Sequence, residues 1–118
     1  MASGTLGDLN AIWGSDAKNI WAVGESGLIL TWNGTTWSLQ NSGSDYNLFG
    51  VFGTDAKNVW AVGDVGTICK WNGTNWTMQD GGGVSSGSLN GVWASDASHV
   101  WAVGGTDYGL GTLLEWQL

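Results

Sequence analysis

The chain of 118 residues contains no proline, no arginine and a single cysteine, and only 11% of its residues are charged. Ordinary globular chains contain about 5% proline and about 25% charged residues. Without proline, exposed strand edges lose one of their usual protections against pairing with another chain. Because Cys69 is the only cysteine, an intramolecular disulfide is excluded, and we expect a buried apolar thiol.

The scarcity of positive charge argues against two classes of partner. Three lysines stand against ten acidic residues, which gives a net charge of −7. Nucleic acid is not an expected partner, because too few cations are present to neutralise a run of phosphates. An anionic membrane surface is not expected for the same reason. No apolar run approaches the length of a membrane-spanning helix, and residues 1–4 do not resemble a signal peptide.

The chain is rich in tryptophan, glycine and repetition. Ten tryptophans and 21 glycines occur in a sequence of which 42% is apolar. The tetrapeptide Trp-Ala-Val-Gly begins at Trp21, Trp60 and Trp101, at steps of 39 and 41 residues. A period of about 40 residues, made of short apolar runs and turn residues, is typical of β-propeller blades. The sequence therefore predicts one partial β-propeller domain over residues 1–118, with repeats at approximately 9–47, 48–88 and 89–118.

The predicted fold is all-β, with about three four-stranded antiparallel blades, of which the last lacks its fourth strand. The second strand of each repeat has Trp and Val on one face and Ile or Val, Ala and Gly on the other. We expect this alternation to pack blade against blade, with the tryptophan series in the core between blades. The predicted strands are 9–14, 20–24, 28–32 and 36–40, then 48–53, 59–63, 67–71 and 75–79, then 89–94, 100–104 and 112–116.

The predicted turns follow the same plan in every repeat. An aspartate that can accept a hydrogen bond from the backbone two residues on opens the turn after each first strand, at Asp16, Asp55 and Asp96. Each of these turns ends on a residue type that tolerates positive φ, at Asn19, Asn58 and His99. Between the third and fourth strands, the Asn-Gly pairs at 33–34 and 72–73 predict hairpin turns.

Three blades are fewer than the roughly four to eight that usually close a propeller ring. We therefore expect the ring to close by oligomerisation of the chain with itself. A homodimer with six blades is favoured, and a trimer with nine blades is second. Two further hypotheses stay open: residues 1–6 complete the last blade of the partner, or the chain is a fragment of a longer propeller.

The pattern V-W-A-V-G, G-T-I and W-N-G-T-x-W at residues 59–76 resembles the Trp-rich propeller repeats of many bacterial surface and secreted proteins. These are the photosystem II stability factor-like and sialidase-type repeats. The resemblance implies the propeller fold and an extracellular or cell-surface location. A more distant similarity to propeller lectins implies a sugar ligand. It identifies no binding residues, because the chain lacks the Arg and Glu with which the fucose-binding kind holds its sugar.

The repeats differ from one another mainly in the loops between strands two and three and between blades. In a propeller these two sets of loops share one face, and variable loops on a constant scaffold indicate recognition. Carboxylates that accept sugar hydroxyls, beside rings that stack on a sugar, predict a glycan site. A site for a hard cation such as Ca²⁺ and acids that only aid solubility are the alternatives. The candidate ligand-binding residues are Glu25, Trp37, Asp45, Tyr46, Asp64, Trp76, Asp107 and Tyr108.

The sequence contains no pattern that indicates catalysis. Its one histidine, His99, is at a turn position, and there is no nucleophile elbow, metal-ligand cluster, phosphate loop or dinucleotide-binding fingerprint. We therefore expect a non-enzymatic protein without a cofactor, a self-assembling propeller that binds glycan at several repeated sites. The alternative is a structural propeller unit, natural or engineered, with no specific ligand.

Overall fold

A computed structural model describes residues 7–79, 87–105 and 111–117. These residues form three antiparallel β-sheets without an α-helix, which confirms the all-β prediction. The strands are β1 (Leu9–Asp16), β2 (Asn19–Gly24), β3 (Leu28–Trp32), β4 (Trp37–Asn41), β5 (Leu48–Asp55), β6 (Asn58–Gly63), β7 (Ile68–Trp71), β8 (Trp76–Met78), β9 (Ser88–Asp96), β10 (His99–Gly105) and β11 (Gly111–Gln117).

In each sheet, strands that are neighbours in sequence are also neighbours in space. Sheet 1 has the order β1-β2-β3-β4, sheet 2 has β5-β6-β7-β8, and sheet 3 has β9-β10-β11. The predicted strands agree with these to within two residues at either end. The four-stranded plan holds for sheets 1 and 2, and sheet 3 has three strands in the described part of the chain. Sheets of this size and connectivity are consistent with propeller blades.

Strand β6 shows why the second strand of each repeat alternates large and small side chains. Trp60 and Val62 lie in a hydrophobic cluster with residues of sheet 3, whereas Val59 and Ala61 lie in a second cluster with residues of sheet 1. All four side chains are fully buried. Sheet 2 is therefore packed between its two neighbours. The prediction that tryptophans form the core between sheets is confirmed for Trp21 and Trp60.

The first strands of the three sheets lie side by side in the order β1, β5, β9. The Asn10 side chain in β1 donates a hydrogen bond to the Leu48 carbonyl oxygen of β5, with 2.9 Å between nitrogen and oxygen. Strands β5 and β9 come so close that a Cβ atom added to Gly50 would lie 3.3 Å from the Gly91 Cα. The same edge of each sheet therefore meets the next sheet in the series.

The glycine of each Trp-Ala-Val-Gly repeat lies in the second strand and allows the backbone at the start of the first strand to approach closely. A Cβ atom on Gly63 would overlap the Asn47 carbonyl oxygen, which immediately precedes β5. Gly24 is crowded in the same way by the Asp8 carbonyl oxygen, which precedes β1, and Gly104 by that of Ser88, the first residue of β9. No residue with a side chain fits these three positions without a shift of the backbone.

The aspartate that opens the turn after each first strand accepts a backbone hydrogen bond, as predicted. The Lys18 amide nitrogen lies 2.8 Å from Asp16 Oδ1. The amides of Lys57 and Ser98 make the same bond to the aspartate two residues earlier. Each of these turns is therefore held by its own aspartate side chain.

Asn19, Asn58 and His99 do not adopt the positive φ that their residue types tolerate. The described non-glycine residues with positive φ are Ser26 and Val65. The Asn19 side chain instead donates to both carboxylate oxygens of its turn aspartate, each at 3.0 Å. Asn58 makes the same pair of bonds, and Nδ1 of His99 lies 2.9 Å from an oxygen of its aspartate. These positions require a polar side chain that reaches back into the turn.

The Asn-Gly pairs at residues 33–34 and 72–73 form the hairpins between the third and fourth strands, as predicted. Their glycines have φ values of 99° and 100°, in the left-handed region that favours glycine. In the first hairpin, the asparagine side-chain oxygen accepts hydrogen bonds from the amides of Thr35 and Thr36, both at 2.9 Å. The asparagine thus fixes the turn through its side chain.

Candidate functional site

In the first two repeats, the loop between strands two and three is a three-residue 3-10 turn, at Glu25–Gly27 and Asp64–Gly66. The first of these turns lies against the segment that links sheet 1 to sheet 2. The Ser26 amide nitrogen lies 2.9 Å from Oδ1 of Asn47 in that segment. The two 3-10 turns and residues 42–47 are called the loop face below. The two sets of variable loops are therefore together, as the sequence predicts.

Two of the candidate carboxylates accept hydrogen bonds from the chain itself. Glu25 Oε1 accepts the Asp8 backbone amide at 2.7 Å. The Asp64 carboxylate accepts the Asn47 side-chain amide at 3.3 Å through one oxygen and the Ser88 hydroxyl at 2.5 Å through the other. Glu25 thus holds the residue that precedes β1, and Asp64 joins sheet 2 to the start of sheet 3.

Asp45 and Tyr46 are adjacent on the loop face, and both side chains are exposed. The Tyr46 amide nitrogen lies 3.0 Å from the Ser44 hydroxyl, which fixes the backbone at this point. The structure therefore places an acid and an aromatic ring together at the surface. The candidates Asp107 and Tyr108 lie outside the described residues.

The tryptophans that begin the fourth strands, Trp37 and Trp76, have the same position in successive repeats but different surroundings. Trp76 is buried, and its indole nitrogen donates to Oε1 of Gln40 in sheet 1 at 2.8 Å. Trp37 is half-buried, with its ring centroid 5.5 Å from that of Trp32. Trp76 is therefore part of the contact between sheets 1 and 2, whereas Trp37 faces away from sheet 2.

A cleft of about 1020 Å³ opens on the side of sheet 1 that faces away from sheet 2. It brings together three of the candidates, Glu25, Trp37 and Asp45, while the other described candidates lie elsewhere. Its lining also includes the apolar side chains of Leu30 and Leu39. The predicted set is therefore divided among this cleft, the loop face and the core between sheets 1 and 2.

In sheet 2, most of the surface that corresponds to this cleft is covered by sheet 1, although Met78, at the repeat position of Leu39, is 47% exposed. Leu30 and Trp37 in the cleft have the repeat positions of Cys69 and Trp76. Both Cys69 and Trp76 are buried in the cluster between sheets 1 and 2. The cleft thus has the position of a surface that packs against a preceding sheet.

Leu30 itself is buried, but two other apolar side chains of sheet 1 are exposed on the same side. Ile12 is 65% exposed, although its equivalent in sheet 2, Val51, is buried against sheet 1. Leu39 in the cleft is 70% exposed. Ile12, Leu39 and the cleft are called the open face of sheet 1 below.

In sheet 3, apolar side chains are exposed on the opposite side, which corresponds to the side of sheets 1 and 2 that packs against a following sheet. Val23 and Val62 are fully buried by the sheet that follows them, but Val103 at the same position in the third repeat is 49% exposed. Leu113, which pairs with Val103 across the sheet, is also largely exposed, and so is Trp93. Trp93, Val103 and Leu113 are called the open face of sheet 3 below.

Trp93 belongs to the tryptophan series that the sequence predicts in the core between blades, yet it is exposed in the single chain. Ile12, Leu39, Val103 and Leu113 were not singled out from the sequence. The available signal is the alternation in the second strand, which predicts burial on both sides of every sheet. In the first and last repeats, one apolar side of the sheet has no neighbouring sheet in the described part of the chain. Ile12 and Val103 have the repeat positions of residues that are buried between sheets, and this equivalence would have identified both open faces.

Hydrogen bonds stabilise the ionised form of the aspartates in the constant turns. The backbone amide two residues on is the largest cause that lowers the pKa of Asp16 and of Asp55 below the ordinary value of 3.8. For Asp96, the largest cause of a lowered pKa is the side-chain hydrogen bond with His99. These carboxylates are therefore charged at neutral pH and hold their turns.

A buried thiol and a partly buried amine lie within sheet 2. Burial raises the pKa of the Cys69 thiol to about 12, so it is protonated at neutral pH and is not a nucleophile. The predicted burial of this thiol is confirmed. Burial also lowers the pKa of Lys70, whose nitrogen lies 5.0 Å from the Trp60 ring and donates to the Trp71 carbonyl oxygen at 2.7 Å.

Within residues 7–79, 87–105 and 111–117, no group of three or more His, Cys, Asp or Glu side chains is placed to hold a metal ion. None of the helical segments in these ranges is long and apolar enough to cross a membrane.

Comparison of the chain with protein-family models and with curated proteins finds no match. A function therefore has to be inferred from the geometry of the chain's own residues.

Proposed function

We propose that this chain is a self-associating, non-enzymatic β-propeller subunit, two copies of which close a ring of six blades. The observation that carries the proposal is the exposure of one apolar repeat position. Val23 and Val62 are covered by the following sheet, whereas Val103 is half exposed because no following sheet is present in the described part of the chain.

Association is favoured because the exposed side chains are large and apolar. Burial of apolar surface contributes about 25 cal/mol per Å², and contiguous apolar patches on soluble proteins mark interaction sites. The open face of sheet 3 carries Val103 and Leu113, and the open face of sheet 1 carries Ile12 and Leu39. Each copy therefore carries both of the unlike faces, one on sheet 1 and one on sheet 3, that a contact between copies requires.

Contacts between unlike faces produce a closed ring when the rotation between copies closes, and a filament when it does not. Each chain contributes three sheets. Two copies therefore give six sheets, within the range of roughly four to eight that is usual for propellers. Three copies would give nine, which is why we propose the dimer.

The state of the two most reactive side chains supports a role other than catalysis. Burial keeps the Cys69 thiol protonated at neutral pH. The His99 ring bonds to Asp96 within a turn, where it replaces the asparagine of the other two repeats. Both groups are explained by packing and turn formation.

A charged substitution on the open face of sheet 3 tests the proposal. Val103→Asp places a carboxylate in the proposed contact, and Val65→Asp is the matched control because Val65 is similarly exposed, at 45%, on the loop face. In sedimentation equilibrium, we expect the unmodified chain and Val65→Asp to be dimers and Val103→Asp to be a monomer. A Val103→Asp variant that stays as dimeric as the control would contradict the proposal.

Glycan binding on the loop face is a second candidate function. It is supported by the exposed pair Asp45 and Tyr46, an acceptor for sugar hydroxyls beside a ring that can stack on a sugar. Glu25 and Asp64 support it less, because their carboxylates already accept hydrogen bonds from the chain. A glycan ligand would also suit the extracellular location that the family resemblance implies.

A glycan array distinguishes this candidate from a structural propeller without a ligand. We expect the unmodified chain to bind a subset of glycans, and the double variant Asp45→Asn/Tyr46→Ala to lose that binding while it keeps the dimer mass. Free sugar should compete with the signal. An array on which the unmodified dimer binds nothing would favour the structural alternative.

A further inference from the structure

The proposed dimer leaves open the register in which the open faces of sheets 1 and 3 meet. We infer that the cleft on sheet 1 is not a small-molecule pocket but the socket for sheet 3 of a second copy, with β9 of one copy beside β1 of the other. This inference rests on the proposed self-association and adds its geometry. It is argued from the two contacts between sheets that a single chain already contains.

The packing of the first strands of the three sheets serves as the template for the contact between copies. Strand β1 lies beside β5, and β5 lies beside β9, so the series advances from each sheet to the next in one direction. At the second step, Gly50 and Gly91 are almost in backbone contact. The repeat position of Gly50 and Gly91 is Ala11 in sheet 1. Continued by one step, the series places Gly91 of one copy against Ala11 of the next.

A row of aromatic rings runs in the same direction. The Phe52 ring centroid lies 5.8 Å from that of Trp13 and 6.3 Å from that of Trp93. These three residues have the same repeat position in sheets 1, 2 and 3. The row ends at Trp93, which is 54% exposed. The next ring in the series is Trp13 of the second copy.

A second aromatic contact predicts which sheet packs against the side of sheet 1 that carries the cleft. Trp21 in sheet 1 approaches Trp71 in sheet 2 with 6.5 Å between ring centroids. The corresponding pair between copies is Trp101 with Trp32, and Trp32 packs on Trp37 at the cleft. We therefore expect the side of sheet 1 that carries Trp32 to receive Trp101 of the second copy, as Trp71 of sheet 2 receives Trp21 of sheet 1.

The lining of the cleft favours a sheet over a small ligand. Trp37, which is half-buried, occupies the position at which Trp76 is buried by sheet 1. The lining of the cleft runs from the loop between β2 and β3 to the fourth strand. A second copy of the chain presents an apolar face, Trp93, Val103 and Leu113.

A disulfide between copies tests the register. In the double variant Ile12→Cys/Val103→Cys, the two cysteines lie on the open faces of sheets 1 and 3, so a bond can form only between copies. Val23→Cys/Val51→Cys is the control, because these residues have the same repeat positions and lie together in the cluster between sheets 1 and 2 of one chain. Buried Cys69 is common to both variants. On oxidation, we expect Ile12→Cys/Val103→Cys to give a covalent dimer and the control to give a monomer in non-reducing gels.

A complementation experiment avoids dependence on the inserted cysteines. Ile12→Asp damages only the open face of sheet 1, and Val103→Asp damages only that of sheet 3, so each variant alone should be monomeric. Mixed in equal amounts, they form one undamaged contact per pair, and we expect mixed dimers to appear. Because Ile12 and Val103 are exposed in the single chain, we expect each variant to fold.

Three outcomes would overturn the inference. If the control disulfide forms and Ile12→Cys/Val103→Cys stays a monomer under oxidation although the unmodified chain is dimeric, the register is wrong while self-association stands. If Ile12→Asp does not weaken the dimer, the cleft side of sheet 1 is not in the contact. If the unmodified chain is itself a monomer, both the inference and the proposed function fail.

Discussion

Trp76 of sheet 2 donates its indole N–H to Gln40 of sheet 1, with 2.8 Å between Nε1 and Oε1. The two residues are 36 positions apart in the sequence and lie in different sheets. Trp76 is buried, so its nitrogen has no access to bulk water. The bond therefore allows a tryptophan to fill the space between two sheets without leaving a polar group unsatisfied.

Replacing Gln40 with leucine should destabilise the fold. The Trp76 nitrogen would stay buried without an acceptor, which costs about 1–3 kcal/mol. We expect Gln40→Leu to lower the free energy of unfolding by that amount in urea denaturation at fixed protein concentration. Gln79→Leu is the matched control, because Gln79 has the same repeat position but bonds to Thr77 on an exposed part of sheet 2. Equal losses in the two variants would contradict this role for Gln40.

A methyl group at Gly63 should also be poorly tolerated. Its backbone is extended, with φ of −169°, so the problem is contact and not conformation. A Cβ atom there would overlap the Asn47 carbonyl oxygen, and the backbone would have to move. We expect Gly63→Ala to cost about 3 kcal/mol of stability.

Gly111 provides the control for this substitution, because a Cβ atom there would meet nothing within 4 Å. Thermal and urea unfolding of Gly111→Ala should differ from the unmodified chain by about 0.5 kcal/mol or less. If Gly63→Ala is as stable as Gly111→Ala, the close approach is not a constraint of the fold.

Val65 should be replaceable with a gain in stability. It has φ of 57°, a left-handed conformation in which a β-branched side chain is strained. Because its side chain is nearly half exposed, little burial is lost on substitution. We expect Val65→Asn to raise the free energy of unfolding by about 1 kcal/mol. Ser26→Asn, at the equivalent position with the same φ, should gain less. A loss of stability in Val65→Asn would show that the side chain makes a contact that outweighs the strain.

The free energy of unfolding should decrease at acid pH, because the turn aspartates become protonated. The pKa of Asp55 is lowered in the folded chain, chiefly by the Lys57 backbone amide. The ionised carboxylate therefore stabilises the folded state above its unfolded-state pKa of about 4. That contribution is lost as the pH falls through the lower folded-state pKa.

Asp55→Asn isolates this contribution. We expect the unmodified chain to melt at a higher temperature than Asp55→Asn at about pH 6, and the difference to shrink towards about pH 2. Asp45→Asn, which removes an exposed carboxylate outside the turns, controls for the change in net charge. A difference between the unmodified chain and Asp55→Asn that is independent of pH would exclude the proposed linkage.

Local features of the fold could be predicted from the sequence because they depend on neighbouring residues. The strands follow from short apolar runs, and the turns follow from Asp16 and the Asn-Gly pair at 33–34. The role of Asn19 was misassigned, because an asparagine in a turn can adopt positive φ or donate from its side chain, and the sequence does not distinguish the two. The bond between Gln40 and Trp76 joins two sheets and has no local signature.

The candidate site was predicted only in part for a related reason. Asp45 and Tyr46 are in a variable loop, and their exposure follows from that position. The hydrogen bonds of Glu25 and Asp64 depend on where the backbone before β1 and β5 lies. The cleft beside Trp37 depends on which sheet faces are covered, and this is a property of the whole arrangement of sheets.

The most direct test of self-association is the solution mass of the unmodified chain by multi-angle light scattering, measured over a range of dilutions. The chain mass is 12.4 kDa. We expect a single species of twice that mass, because Val103 and its neighbours on sheet 3 would then be covered by sheet 1 of a second copy. A monodisperse species of 12.4 kDa at every concentration would contradict the closed dimer.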